Sequence, residues 1–201
     1  MMSPIISSGR LPGSRHLALS AGCRALIAAA LVVGCARSIR PTKTDGGLVL
    51  NGEPIHPMSV APLLSDLANE DARIAAVDLE GSSRTGSHRL APSVCGGTVA
   101  APDGLGGYIA YQHLGATPKG LHVLVTSVSG GGSGVFRNVI WVRLQHDQVQ
   151  KEGVSRPRTM LVLVGSFALG DRDDGSVKLE GTRLIVGRSR YRDSAQVIGL
   201  E

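Results

Sequence analysis

Three places in this 201-residue sequence gather side chains whose types and spacing could do chemistry. The first is the run Gly170-Asp171-Arg172-Asp173-Asp174-Gly175-Ser176. Asp171, Asp173 and Asp174 are oxygen donors of the kind Ca²⁺ prefers. The spacing departs from the Ca²⁺-loop pattern D-x-[DN]-x-[DN]-G-x₅-E. Started at Asp171, it puts Gly175 at the third ligand position, Ser176 at the turn glycine and Thr182 at the final Glu. An Asp-Gly turn is therefore favoured over a metal loop. The second place is Gly187-Arg188-Ser189-Arg190-Tyr191-Arg192-Asp193-Ser194. On a strand, Arg188, Arg190 and Arg192 would share one face and Ser189, Tyr191 and Asp193 the other. Such a strand could meet anionic headgroups, or serve as a charged edge that discourages strand-to-strand aggregation. The third is the histidine set. His16, His56, His88, His113, His122 and His146 occur singly, without the H-x-x-x-H or H-E-x-x-H spacing of a helical zinc site. His113 and His122 fall on consecutive strand candidates and can meet across a hairpin.

Other motifs carry less. Gly130 to Gly134 is glycine-rich, but no Lys-Ser/Thr pair follows and strand-like residues come next, so a flexible strand connection fits better than a phosphate cradle. No G-x-S-x-G elbow marks a hydrolase serine. Cys95, in Ser93-Val94-Cys95-Gly96-Gly97, reads as a small buried hydrophobe. No catalytic residue and no cofactor is assigned. A hydrolytic site, as the alternative, would have to draw on dispersed groups such as Asp78, His113 and His122.

The elements that would position these residues are mostly strands. Short runs of Val, Ile, Leu and Thr alternate with Gly, Asp, Asn and Ser turns, and aromatics make up only 3% of the chain. This predicts an all-β fold, a β-sandwich or barrel-like arrangement of about nine short strands. Leu48 to Leu50 leads into Asn51-Gly52, a tight hairpin turn. One short N-terminal helix is predicted over 59–69, with Ser59 as its cap and Pro62 in its first turn. Strands are predicted over 73–79, 94–100, 107–113, 121–127, 135–144, 160–167, 177–179, 182–186 and 196–200. Residues 145–158 are polar and read as a loop.

The first 34 residues are set apart from this pattern. They contain no Asp or Glu, carry Arg10, Arg15 and Arg24, and end in an apolar run from Ala25 to Val33. A positive start followed by a short apolar stretch is an export signal. It is about half the roughly 20 apolar residues that a spanning helix needs. Val32-Val33-Gly34-Cys35 then resembles the lipobox of bacterial lipoproteins, with an aliphatic residue at −3, a small or aliphatic one at −2, Gly at −1 and Cys at +1. The resemblance covers the first 35 residues. It implies cleavage after Gly34 and a diacylglycerol thioether on Cys35. It also implies residence in a bacterial cell envelope, at the periplasmic face of the outer membrane if the source is Gram-negative.

The organisation expected is thus a signal peptide over 1–34, a tether over 35–46 and one β-rich domain over 47–201. Removing the signal takes three arginines, leaving 18 basic against 16 acidic residues, so the formal charge of +5 overstates that of residues 35–201. With no basic stripe interleaved by aromatics, nucleic acid is not an expected partner. The expected partners are the membrane, through lipid on Cys35, and an envelope protein or anionic headgroup. The functional expectation is a membrane-anchored, non-catalytic binding or assembly module, with a lipid-tethered hydrolase or other envelope enzyme as the alternative.

Overall fold

The computed structural model describes residues 47–64, 75–82 and 91–200. The expected signal peptide and tether, Cys35, His88 and the second half of the predicted helix lie outside these. The described chain is all-β, as expected. Twelve strands form three antiparallel sheets. A hairpin comes first, β1 (Val49–Leu50) and β2 (Glu53–Pro54). It turns through Asn51 (φ 54°) and Gly52 (φ 87°), the positive-φ pair a two-residue turn requires. One helical turn follows, α1 (Pro57–Val60), continued by a 3₁₀ turn over Ala61–Leu64. The helix starts two residues earlier than predicted. The His56 side chain caps it, Nδ1 accepting from Met58 N–H at 3.2 Å, and Pro57 takes the first position, where no donor is needed. Ser59, expected as the cap, is buried inside the turn.

The main sheet has seven strands in the order β3-β9-β8-β7-β6-β5-β4. These are β3 (Ala76–Asp78), β4 (Ser93–Cys95), β5 (Thr98–Pro102), β6 (Tyr108–Ala116), β7 (His122–Ser129), β8 (Phe136–Lys151) and β9 (Val154–Asp171). From β4 to β9 each strand pairs with the next in sequence, a simple meander. β3 joins the far edge beside β9, and a short helical turn, α2 (Leu79–Ser82), follows it. The last sheet is β10 (Val177–Glu180), β11 (Arg183–Val186) and β12 (Gln196–Gly199).

Alternation along the central strands loads both faces of the main sheet with apolar side chains. Tyr111, Leu124, Ile140, Val142 and Leu161 pack on one face with Leu48, Ile55, Val60 and Leu63 of the N-terminal segment. Val123, Val125, Val139 and Leu169 pack on the other with Leu184, Val186 and Leu200 of the C-terminal sheet. The main sheet is therefore the middle layer between two covers. Tyr111 fastens the first cover. It is 1% exposed, and its hydroxyl donates to the Ile55 carbonyl at 2.6 Å. Burial raises its pKa, so it remains a neutral donor. Gly165 makes room for the largest side chain in the sheet. Trp141 lies directly across from it, and a Cβ on Gly165 would fall 2.4 Å from the indole.

Two predicted elements are corrected. The single strand expected over 94–100 is a hairpin, β4 and β5, folded at Gly96 (φ 55°) and Gly97 (φ 80°). The polar loop expected over 145–158 is β-structure. β8 and β9 pair continuously out to Lys151↔Val154 and turn through Glu152 (φ 53°) and Gly153 (φ 78°). β7 pairs with β8 only as far as Val142, and β3 with β9 only from Met160 inward. Among the described residues, the pairs from His146↔Thr159 to the turn form a two-stranded arm with no neighbouring strand. Most of its side chains are exposed. Pro157 is tolerated in it because an outer strand needs no ladder donor on its free side.

Candidate functional site

The acidic run and the arginine run, expected as separate features, form one structure. The arginines are not on a strand. After β11 the chain makes a tight turn, in which Ser189 and Arg192 exchange backbone bonds of 3.1 Å in both directions. The strict one-face alternation is therefore lost. Arg192 folds inward and donates to Asp173 Oδ2 at 3.0 Å, with the two side chains only 11% and 0% exposed. It also donates to the Gly187 carbonyl at 2.9 Å and lies over the Phe167 ring. Asp173 Oδ1 accepts from Gly175 N–H at 2.8 Å, and Arg137 donates to the Asp173 carbonyl. Burial lowers the Arg137 pKa, while the nearby Asp173 and Asp174 charges act against that shift. Asp174 accepts from Arg190 N–H at 3.1 Å and faces its guanidinium at 3.5 Å. Arg188 is exposed.

This arrangement argues against the Ca²⁺ reading of the acidic run. Asp171 accepts from Val135 N–H at 2.8 Å, and each of the other two carboxylates already faces an arginine. Among the described residues, no three His, Cys, Asp or Glu side chains group as metal ligands. The corner holds the strand turns together by opposite charge, and only Arg188 and Arg190 remain outward enough to meet an anion.

The two histidines do meet. His113 lies two residues beyond Tyr111 on β6, and His122 two residues before Leu124 on β7, so both sit on the face covered by the N-terminal segment. A bulge between His113 and Gly115 shifts the register here, and the rings meet diagonally across the two strands. His113 Nε2 is 3.2 Å from His122 Nδ1, with ring centroids 5.2 Å apart and a 44° tilt. Both rings are half-buried. Burial lowers the pKa of each. The proximity of His122 lowers that of His113 further, while the Gly115 backbone pulls it back up. Burial thus disfavours protonation of either ring, and a ring nitrogen of each is turned toward the other.

Asp78 does not join them. Its Oδ1 accepts from Glu80 N–H at 3.0 Å and Gly81 N–H at 2.8 Å, capping α2. β3 is separated from β7 by β9 and β8, about 14 Å at the usual strand spacing. That separation is too large for Asp78 to share a hydrogen bond directly with the histidine pair, so these three do not form a direct acid–base relay. A second polar group lies at the root of the arm. The Thr159 hydroxyl is 3.3 Å from His146 Nδ1 and 3.5 Å from Glu80 Oε1. Beside it, Arg158 donates to Asp147 at 2.7 Å across the two strands. The polar sequence of 145–158 gave no hint of these cross-strand partners, because pairing follows from register.

Cys95 is exposed, contrary to the expectation of burial. It lies on β4, a three-residue edge strand whose side chains are all exposed. At the sheet edge, next to a turn, even apolar residues lack neighbours. Lipidation of Cys35 falls outside the described residues. No helix among the described residues is long and apolar enough to cross a membrane. Compared with known proteins, the chain matches no family model, no curated protein and no solved structure.

Proposed function

We propose that the chain is a lipid-tethered protein of the bacterial cell envelope whose β domain works by binding or assembly. The address rests on Val32-Val33-Gly34-Cys35 behind a basic, acid-free leader. Two or more acyl chains on Cys35 would anchor the protein stably, since each buried CH₂ contributes about 0.8 kcal/mol and one chain alone is marginal. Ten tether residues after Cys35 reach at most about 35 Å, which keeps the domain near the membrane surface.

The observation that carries the role is the β8–β9 arm. Water-exposed strand edges invite pairing with another chain, and proteins ordinarily shorten or cover them. Here the longest hairpin of the described structure extends past its neighbours. Its edge on the β8 side, from Arg143 to Lys151, contains no proline. A strand contributed by a partner can add to such an edge by main-chain bonds alone.

Two variants separate the address from the role. Cys35→Ser should move the protein from the detergent-rich to the aqueous phase on phase partition, leaving the β circular dichroism spectrum unchanged. Retention in the detergent phase would refute the tether. Shortening the arm by joining Gln145 to Met160 through Asn-Gly should preserve the fold but abolish the crosslinked species formed in intact membranes. Unchanged crosslinking would remove the arm from the account.

A further inference from the structure

We infer that His113 and His122 form a two-imidazole site for a divalent cation of the Zn²⁺ class. The inference holds with or without the tether, because it rests on the geometry of β6 and β7 alone. Imidazole nitrogens bind Zn²⁺ at about 2.05 Å, so a tetrahedral angle at the ion puts two such nitrogens roughly 3.3 Å apart and the ring centroids about 5 Å apart. The observed separations are 3.2 Å and 5.2 Å. The facing atoms are ring nitrogens, not carbons, and the two rings approach edge-on at a tilt instead of stacking.

The chemistry of the surroundings fits the same ion. The His113 ring also hydrogen-bonds the Gly115 backbone. A metal-bound histidine characteristically gives its other ring N–H to such a backbone acceptor, which fixes the tautomer. The scaffold is firm. Tyr111 and Leu124, two residues from the rings on their own strands, are almost fully buried. The two rings supply two ligands, so water or other oxygen donors would complete the coordination. Imidazole selects Zn²⁺ and its late first-row neighbours over Ca²⁺ and Mg²⁺.

A hydrogen bond between two neutral rings gives a similar nitrogen spacing, so the test must separate it from a shared cation. The full chain, ¹⁵N-labelled at histidine and with its thiols alkylated so that cysteines do not compete, is titrated with ZnCl₂ into the millimolar range. Long-range ¹H–¹⁵N spectra report each ring nitrogen. The expected result is a saturable shift at His113 Nε2 and His122 Nδ1, with His56 and His146 unmoved and Mg²⁺ inactive. His122→Gln should weaken binding at His113 at least ~10-fold. His113→Gln, read at His122, gives the reciprocal measurement if the first variant is misfolded. Absence of a shift at either ring would overturn the site and leave a plain hydrogen bond. A shift at His113 that is undiminished in a folded His122→Gln would overturn it too.

Discussion

Two polar constellations of this protein, the Asp173 corner and the His113–His122 pair, occupy opposite faces of the main sheet and are built on opposite rules. At the Asp173 corner, unlike charges meet: one carboxylate takes Arg192 and a backbone N–H, and the neighbouring carbonyl takes Arg137. Both inward arginines there donate to acceptors within the chain. At the His113–His122 pair, like groups meet, two neutral bases with nitrogens facing each other. The first arrangement is complete and explains the packing of the last turns against the sheet. The second is held by a single ring-to-ring contact of 3.2 Å, the contact on which the proposed cation site rests. Local sequence presented the acidic and arginine runs as separate features and the histidines as a possible hairpin contact, and tertiary structure joins the first two and brings the last pair within 3.2 Å.

The comparison can be broken or sharpened by substitution. The largest effect is expected from Asp173→Ala, which leaves Arg192 nearly buried without its partner. Removing one member of a buried pair typically costs about 3–5 kcal/mol. Urea unfolding should show a loss of that order, and a change below ~1 kcal/mol would mean that the corner is not structural. Next in size is Tyr111→Phe, which removes the donor from the Ile55 carbonyl. A loss of about 1 kcal/mol is expected, with the N-terminal cover loosening first in hydrogen exchange. Uniform exchange would argue that the cover and sheet unfold as one.

The pH dependence of the histidine pair should be smaller still. Both folded pKa values lie below the usual 6.5, so the folded state holds fewer protons than the unfolded chain. In chelator-treated protein, the stability this provides is fully present above pH 6.5. It falls as the pH drops from there through the folded pKa values. The double variant His113→Gln, His122→Gln should lose part of that slope, whereas an unaltered slope would place its source elsewhere. Smallest of all is Asp147→Ala on the arm. Its pair with Arg158 is solvent-exposed, and exposed pairs add little. No measurable change in Tm is expected, and a large one would show that the arm is part of the cooperative fold.

What could be read from sequence followed the core. The all-β class, the Asn51-Gly52 turn and the central strands were legible, because side chains alternating toward a buried layer leave a two-residue period. The arm was not. It leaves the core after Leu144, so its residues alternate toward water on both faces, and Glu152-Gly153 is a weaker turn signal than Asn-Gly. The strand over 94–100 hid a turn because Gly96-Gly97 sits inside an otherwise continuous apolar-small run. Arg188, Arg190 and Arg192 had strand spacing, but the pull of Asp173 and Asp174 folds them into a turn. The histidine contact was legible only as a possibility, since it depends on the register of β6 against β7, which the sequence leaves open.

The central claim, a β domain carried on lipid at Cys35, is tested most directly by the intact mass of the protein extracted from bacterial membranes. The account predicts a chain spanning residues 35–201 plus an acylated glycerol, with the added mass lost in Cys35→Ser. An unlipidated chain with a different first residue would contradict it.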